Sequence, residues 1–165
     1  MTVDELGEVG IERMTDGEIR EFLTSRGVGV LGLPAEDGPY LIPMSFGFDG
    51  DAALYFTFLV GASSRKADLA DRAELARFLV YDARSAFTWQ SVVLTGEIEQ
   101  VPPAEFEAVA ETMHNAWRPA LFEDAELTRG VEVHRFEITD RVGFKHTGLP
   151  PGFPSERAET GSDEY

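Results

Sequence analysis

Ser64-Arg65-Lys66-Ala67 is the segment of this chain with the most chemical content. Lys66 and Lys145 are the only lysines among 165 residues whose formal net charge is −16. A lysine placed directly beside an arginine is therefore a local exception to the composition. The pair follows the apolar run Leu54-Tyr55-Phe56-Thr57-Phe58-Leu59-Val60 and the small residues Gly61-Ala62-Ser63, and a helix is expected to start at the pair. A strand, a small-residue loop and a basic helix N-terminus can together hold a phosphate. First-turn N–H groups point outward, the helix dipole adds positive potential, and two side chains supply full charges. The plainer reading pairs Arg65 with Asp68 and leaves Lys66 solvated, while Asp68 and Arg72 suit each other at i, i+4. Two cations about 4 Å from a phosphate contribute roughly 4 kcal/mol each at an effective dielectric of 20. Carboxylates beyond about 8 Å are screened at physiological salt, so sheltered local charge can outweigh the net charge.

The elements that must carry this segment are spread along the chain. Residues 1–13 show no clear pattern and are expected to be a flexible arm. Thr15-Asp16-Gly17-Glu18 is a capping box, with Met14 and Ile19 as its hydrophobic staple. Ile19, Phe22 and Leu23 share one helical face, and Gly27 is expected to stop that helix. Strands are expected at Val28–Leu33 and Tyr40–Phe48, the latter interrupted by Pro43, which lacks a donor and marks an edge or a bulge. Asp49-Gly50 signals a tight hairpin into a third strand, Ala52–Val60. A short helix covers 65–72. Leu75–Asp82 reads as a fourth strand or as a continuation of that helix. Phe87–Val101 is a long fifth strand with a bend at Gly96. Pro102-Pro103-Ala104-Glu105 opens another helix, with Phe106, Val109, Ala110, Met113 and Trp117 on one face. Val131–Thr139 alternates as a strand, and Val142–Lys145 is a candidate short final one. The expected division is an arm at 1–13, one domain at 14–148 and a disordered acidic tail at 149–165.

The fold class expected is mainly β, a small barrel of six or so mostly antiparallel strands with flanking helices. Apolar runs this continuous fit strands covered on both faces, and packing against a second copy is one way to cover them. An apolar fraction of 43% is enough for a core in a single domain. No apolar run approaches the ~20 residues of a membrane span, and the acidic start Met1-Thr2-Val3-Asp4-Glu5 is unlike a signal peptide. We therefore expect a cytoplasmic protein with no membrane partner. Strong acidity argues against nucleic acid as a partner, and with lysine depletion it suggests a halophilic surface. The absence of cysteine removes disulfides, thiolate nucleophiles and cysteine-ligated metals.

Other chemistry is weakly supported. His114, His134 and His146 show no metal-ligand spacing, and structural roles are the default for His114 and His134. No Gly-x-Ser-x-Gly elbow, Walker loop or Gly-x-Gly-x-x-Gly strand–helix turn is present. Carboxylates are too common for any pair to be informative, so no catalytic residue is assigned. Phe46, Phe48, Tyr55, Phe56, Phe58, Phe87 and Trp89 lie on strands flanking the basic segment, and most are expected in the core. Gln90 and Ser91 differ, being polar residues in an apolar strand. Gln90 either faces water or a neighbouring backbone, or it hydrogen-bonds a flat heterocyclic ligand.

From Gly29 to Pro102 the chain resembles the pyridoxamine 5′-phosphate oxidase-like FMN-binding split barrels. The matching segments are Pro43-Met44-Ser45-Phe46, Asp49-Gly50, Leu54-Tyr55-Phe56-Thr57, Ser64-Arg65-Lys66-Ala67, Trp89-Gln90-Ser91-Val92 and Thr95-Gly96-Glu97-Ile98. The resemblance makes the barrel a six-stranded split barrel and implies a homodimer with two FMN sites at the subunit interface. It gives the phosphate to Ser64, Arg65 and Lys66, the preceding strand's contribution to Phe56 and Thr57, the passage beside the ring to Pro43, Met44 and Ser45, and the ring edge to Gln90. The oxidases proper carry a basic residue near Ile42-Pro43-Met44 and end in an Arg- and Trp-containing segment, whereas this chain ends in an acidic tail. It is thus more similar to the flavin reductase or nitroreductase-like members, and an oxidoreductase passing electrons from a reduced nicotinamide or similar donor is the function implied. Two alternatives stay open: a barrel using deazaflavin or haem, and a non-catalytic flavin-binding or scaffold dimer.

Overall fold

The computed structural model describes residues 3–61, 64–115 and 130–148. The elements in order are α1 (Val3–Glu8), β1 (Ile11–Arg13), α2 (Asp16–Thr24), β2 (Val28–Leu33), β3 (Tyr40–Phe48), β4 (Ala53–Leu59), α3 (Arg65–Arg72), β5 (Ala76–Ser85), β6 (Thr88–Gln100), a 3₁₀ turn (Pro103–Glu105), α4 (Phe106–Ala110), a second 3₁₀ turn (Thr112–Asn115) and β7 (Val131–Thr147). Six antiparallel strands close in the order β7-β4-β3-β2-β5-β6 and back to β7. The extra strand β1 lies on the edge of β7 beyond β4, with Ile11 opposite His146. Strand alternation fills the barrel: Phe46, Leu54, Phe56, Phe58, Phe78, Val80, Val92, Leu94 and Phe136 are fully buried.

Each end of the barrel is closed by a helix whose apolar face fits it. Met14 and Ile19 at the start of α2 press on Gly143, where a Cβ would lie 2.9 Å from Met14 Sδ. The capping box is present in full, with Glu18 N–H donating to Thr15 Oγ1 and Thr15 N–H to Glu18 Oε2. At the other end, Ala67, Leu69 and Ala70 of α3 join the same core. Between the two ends, Gly96 permits a close strand crossing. A Cβ there would lie 2.3 Å from the Glu137 carbonyl oxygen, and the β6–β7 register shifts at Thr95/Gly96.

Several expectations are corrected. Residues 1–13 carry a helix and a paired strand, because β7 extends past β4 and offers Ile11–Arg13 a free edge. The second helix ends at Thr24 with Ser25 as its cap, two residues before Gly27. Gly27 is absent from the positive-φ glycines, and its carbonyl accepts from Phe46 N–H. The hairpin at Asp49-Gly50 is a wider turn. Asp49 Oδ1 accepts from the N–H groups of Asp51, Ala52 and Ala53, while Gly50 takes φ +88°. The fourth strand expected at Leu75–Asp82 is present as β5, Ala76–Ser85. The helix after Pro102 is broken into three short pieces, and Trp117 lies outside the described residues. The two expected final strands are one strand of 17 residues. The tail at 149–165 lies outside the described residues.

Candidate cofactor site

The barrel has two short ladders of three residue pairs each, β2–β5 at Val30–Gly32 and the β3–β4 seam. Strand β3 pairs with β2 along Tyr40–Ser45 but with β4 only along Phe46–Phe48. Pro43 sits in the stretch without a β4 partner, opposite Val30, where its missing N–H removes no bond to β4. Beyond the seam, the outward side chains of β3 are Pro43 and Ser45, and those of β4 are Thr57 and Leu59. Met44 and Phe56 alternate inward and are buried. The nine candidate residues therefore divide. Pro43, Ser45 and Thr57 face outward beside the seam, Ser64, Arg65 and Lys66 begin the helix that follows β4, and Met44 and Phe56 belong to the core.

Gln90 is not brought to the start of α3 within one chain. It pairs with Asp82 and Lys145 at the α2 end of the barrel, ten residues along β6 from Gln100, which pairs with His134 at the α3 end. At about 3.3 Å per residue the separation along the strand is roughly 33 Å. The neighbourhood explains a polar residue there. Asp82 bonds to Arg26, and the Lys145 ammonium bonds to Glu18, so the rim is polar on every side. Hydrogen bonding to Lys145 holds the Glu18 carboxyl below its usual range, and the same bond pushes Lys145 up.

Adjacent residues on a helix diverge by about 100°, and Arg65 and Lys66 do so. Arg65 reaches the turn between β2 and β3, where Nη2 donates to Asp37 Oδ1 at 2.7 Å and the guanidinium lies over Tyr40. The expected Arg65–Asp68 pair is not the one formed, and Arg72 Nε donates to the carbonyl of Asp68. The pair with Asp37 is open to solvent, with the Arg65 side chain 57% exposed, so it is worth little by itself. It holds Asp37 below the usual carboxylate range. Between this turn and α3 lies an open cleft of about 800 Å³, which Arg65 and Arg72 share with Glu36, Asp37 and Asp68.

Lys66 turns the other way and is half-buried, with Nζ 5.3 Å from the Phe58 ring centroid. Burial pushes its pKa below the ordinary lysine value. The other face of this cluster is His134, which is fully buried and stacks on Phe58 with ring centroids 4.2 Å apart. Ser64 makes no side-chain cap bond to α3, so its hydroxyl does not occupy the first-turn N–H groups. Sequence reasoning missed His134 as part of this end, and missed Gly47. The second 3₁₀ turn crosses β3 at Gly47 so closely that a Cβ would lie 2.5 Å from the Thr112 carbonyl oxygen. A glycine in an apolar strand was the available signal.

A family model described as pyridoxamine 5′-phosphate oxidase matches residues 15–145. The chain belongs to the pyridoxamine 5′-phosphate oxidase family. The match runs from the capping box of α2 to the strand that closes the barrel, so it takes in the whole closed sheet. Among curated proteins no sequence matches. Solved structures with the same fold include a FAD-binding protein from Mesorhizobium loti (18% identity, 83% of this chain and 99% of that one, TM-score 0.64). Others are the conserved hypothetical protein Rv2991 from Mycobacterium tuberculosis (21%, 91% and 95%, TM-score 0.63) and the flavocytochrome Anf3 from Azotobacter vinelandii (17%, 89% and 73%, TM-score 0.65). At such identities the likeness concerns the fold. No helix among the described residues is long and apolar enough to cross a membrane.

Proposed function

We propose that this family member binds FMN at the unzipped β3–β4 seam and acts as a homodimeric oxidoreductase. The observation that supports the reading is an uncapped helix start carrying two basic residues, next to an open face. The first turn of α3 has no side-chain cap from Ser64, Lys66 is held short of full hydration, and the seam residues Pro43, Ser45 and Thr57 lie on the strands next to it. A phosphate at the start of α3 would meet outward N–H groups and the dipole, and Arg65 and Lys66 would each turn in from Asp37 and Phe58 to contact it. It would also replace Asp37 as the partner of Arg65. FMN, when bound, supplies hydride chemistry at its ring, and the protein's part is to bind, orient and shield it. Ser64, Arg65 and Lys66 hold the phosphate end, and Ser45 and Thr57 offer hydroxyls along the open face. The similar structure from Mesorhizobium loti is that of a FAD-binding protein, which makes the nucleotide form worth measuring directly.

The dimer is supported by the outer surface. Val28 and Leu41, on the paired strands β2 and β3, and Tyr81 on β5 are large apolar side chains left 55%, 64% and 59% exposed. A second copy would cover them, and it would also bring another Gln90 within range of a site that one chain cannot complete.

The test is a flavin titration of the purified chain with mass spectrometry of any released nucleotide. Each charge-assisted contact contributes about 1.5–3 kcal/mol, so Arg65→Ala with Lys66→Ala is expected to weaken FMN binding at least ~100-fold. Unchanged affinity would remove the phosphate assignment. A bound flavin that no nicotinamide or other donor reduces would favour a non-catalytic binding dimer.

A further inference from the structure

A second cavity, of about 570 Å³, lies on the outside of the barrel between the segment 103–113 and the outward faces of β4, β6 and β7. Small-molecule sites commonly measure about 300–1,000 Å³. Its walls are hydrocarbon: Phe106, Val109, Ala110 and Met113 on one side, Val131 and Val133 on the other. Met113 and Val133 belong to a small core of their own, separate from the barrel interior, so the cavity has a packed floor.

The polar groups are few and of one character. Thr57, Gln100 and Glu107 line the cavity, and no lysine, arginine or histidine among the described residues does. Thr57 Oγ1 has the Met113 thioether, 3.9 Å away, as its acceptor. Sulfur of this kind accepts weakly, so a ligand oxygen would be a better partner. An anion would enter apolar walls with no cation among the described residues to meet it, beside the Glu107 carboxylate and under a net charge of −16. A neutral ring with one hydroxyl or carbonyl loses little on desolvation and can bond to Thr57 and the Gln100 amide.

We propose that this cavity is a binding site for an uncharged, largely apolar ring compound carrying a single hydrogen-bonding group. The site adjoins the proposed cofactor face but does not need a bound cofactor. Thr57 is the one residue the two have in common, so a molecule bound here lies beside the proposed FMN face.

The test compares two probes that differ only in charge, 1-naphthol and 1-naphthyl phosphate, by calorimetric titration of the full chain. Naphthol is expected to saturate at one site per chain. Ala110→Trp, which fills the cavity from an exposed helix position, and Val109→Glu, which sets a carboxylate in its wall, are each expected to weaken naphthol at least ~10-fold. Both should leave FMN affinity near that of the unsubstituted chain, and Ala110→Trp, at an exposed position, should also leave the thermal midpoint there. Naphthyl phosphate is expected to bind only through the start of α3, and hence to be lost in Arg65→Ala/Lys66→Ala and retained in Ala110→Trp. The proposal is overturned by absence of saturable naphthol binding, by naphthol binding undiminished in both cavity variants, or by naphthyl phosphate binding that Ala110→Trp abolishes. Failure of FMN to bind would sink the cofactor reading and leave this site standing.

Discussion

His134 is fully buried, and neither ring nitrogen makes a hydrogen bond to a described residue. The carboxylates of Asp71 and Glu132 each lie 3.8 Å from Nε2, which is ion-pair distance but beyond hydrogen-bonding range. Burial pushes its pKa below the ordinary value of 6.5, Asp71 works against that, and Lys66 adds to it. The native imidazole is therefore neutral where the unfolded one still takes a proton. Stability from this group is present above 6.5 and is lost as pH falls from there through the lowered native pKa. Phenylalanine keeps the stack on Phe58 and removes two polar atoms whose unsatisfied burial costs about 1–3 kcal/mol each in comparable sites. His134→Phe is expected to raise stability by about 1 kcal/mol and to flatten the thermal midpoint between roughly pH 8 and pH 5. A variant that keeps the parent's slope over that range would show that other groups carry it. The two basic residues at the start of α3 are legible in sequence as an exception to composition. That they point apart, one to Asp37 and one to Phe58, follows from helical spacing and the surfaces on either side.

Among the elements, β3 and the 3₁₀ turn that crosses it control the seam. Gly47 lets Thr112 and Met113 lie directly on the strand, and a Cβ would approach Met113 Cα to 2.8 Å. Both contacts are backbone, so no flexible side-chain end can yield. Gly47→Ala is expected to cost about 1–3 kcal/mol, the range typical of overpacking. Gly61→Ala, with nothing within 4 Å of the added carbon, should leave the urea midpoint unchanged. Equal midpoints for the two variants would mean that the turn lifts off without loss. The capping box and the alternation of β4 were readable because each is a local pattern of adjacent residues. The break in the β3–β4 ladder was not, since Pro43 only says that a ladder bond is missing and cannot say on which side. The N-terminal thirteen residues were misread for the same reason. Their pairing partner, Phe144–His146, lies more than a hundred residues away.

For the whole molecule, charge and apolar exposure oppose one another. Each chain carries a formal charge of −16, so two copies repel at low ionic strength, while Leu41, Val28 and Tyr81 favour contact. Screening shortens to about 3 Å at molar salt. The dimer fraction in sedimentation experiments is therefore expected to rise with salt, and Leu41→Asp is expected to weaken association at least ~10-fold. A monomer at every salt concentration, with flavin bound, would show that one chain completes the site alone.

Sequence alone determined the β-rich architecture, the capped helix before the barrel, the family, and the lone basic pair in an acidic chain. The family rests on the order of its matching segments, and the other three on neighbouring residues, alternation and composition, none of which folding alters. Tertiary structure decided which of nine candidate residues share a surface. It set Met44 and Phe56 in the core, left Pro43, Ser45 and Thr57 outward beside the seam, and put Gln90 at the end of the barrel away from α3. Register and ring closure are properties of strands that meet across long stretches of chain, and no local pattern encodes them.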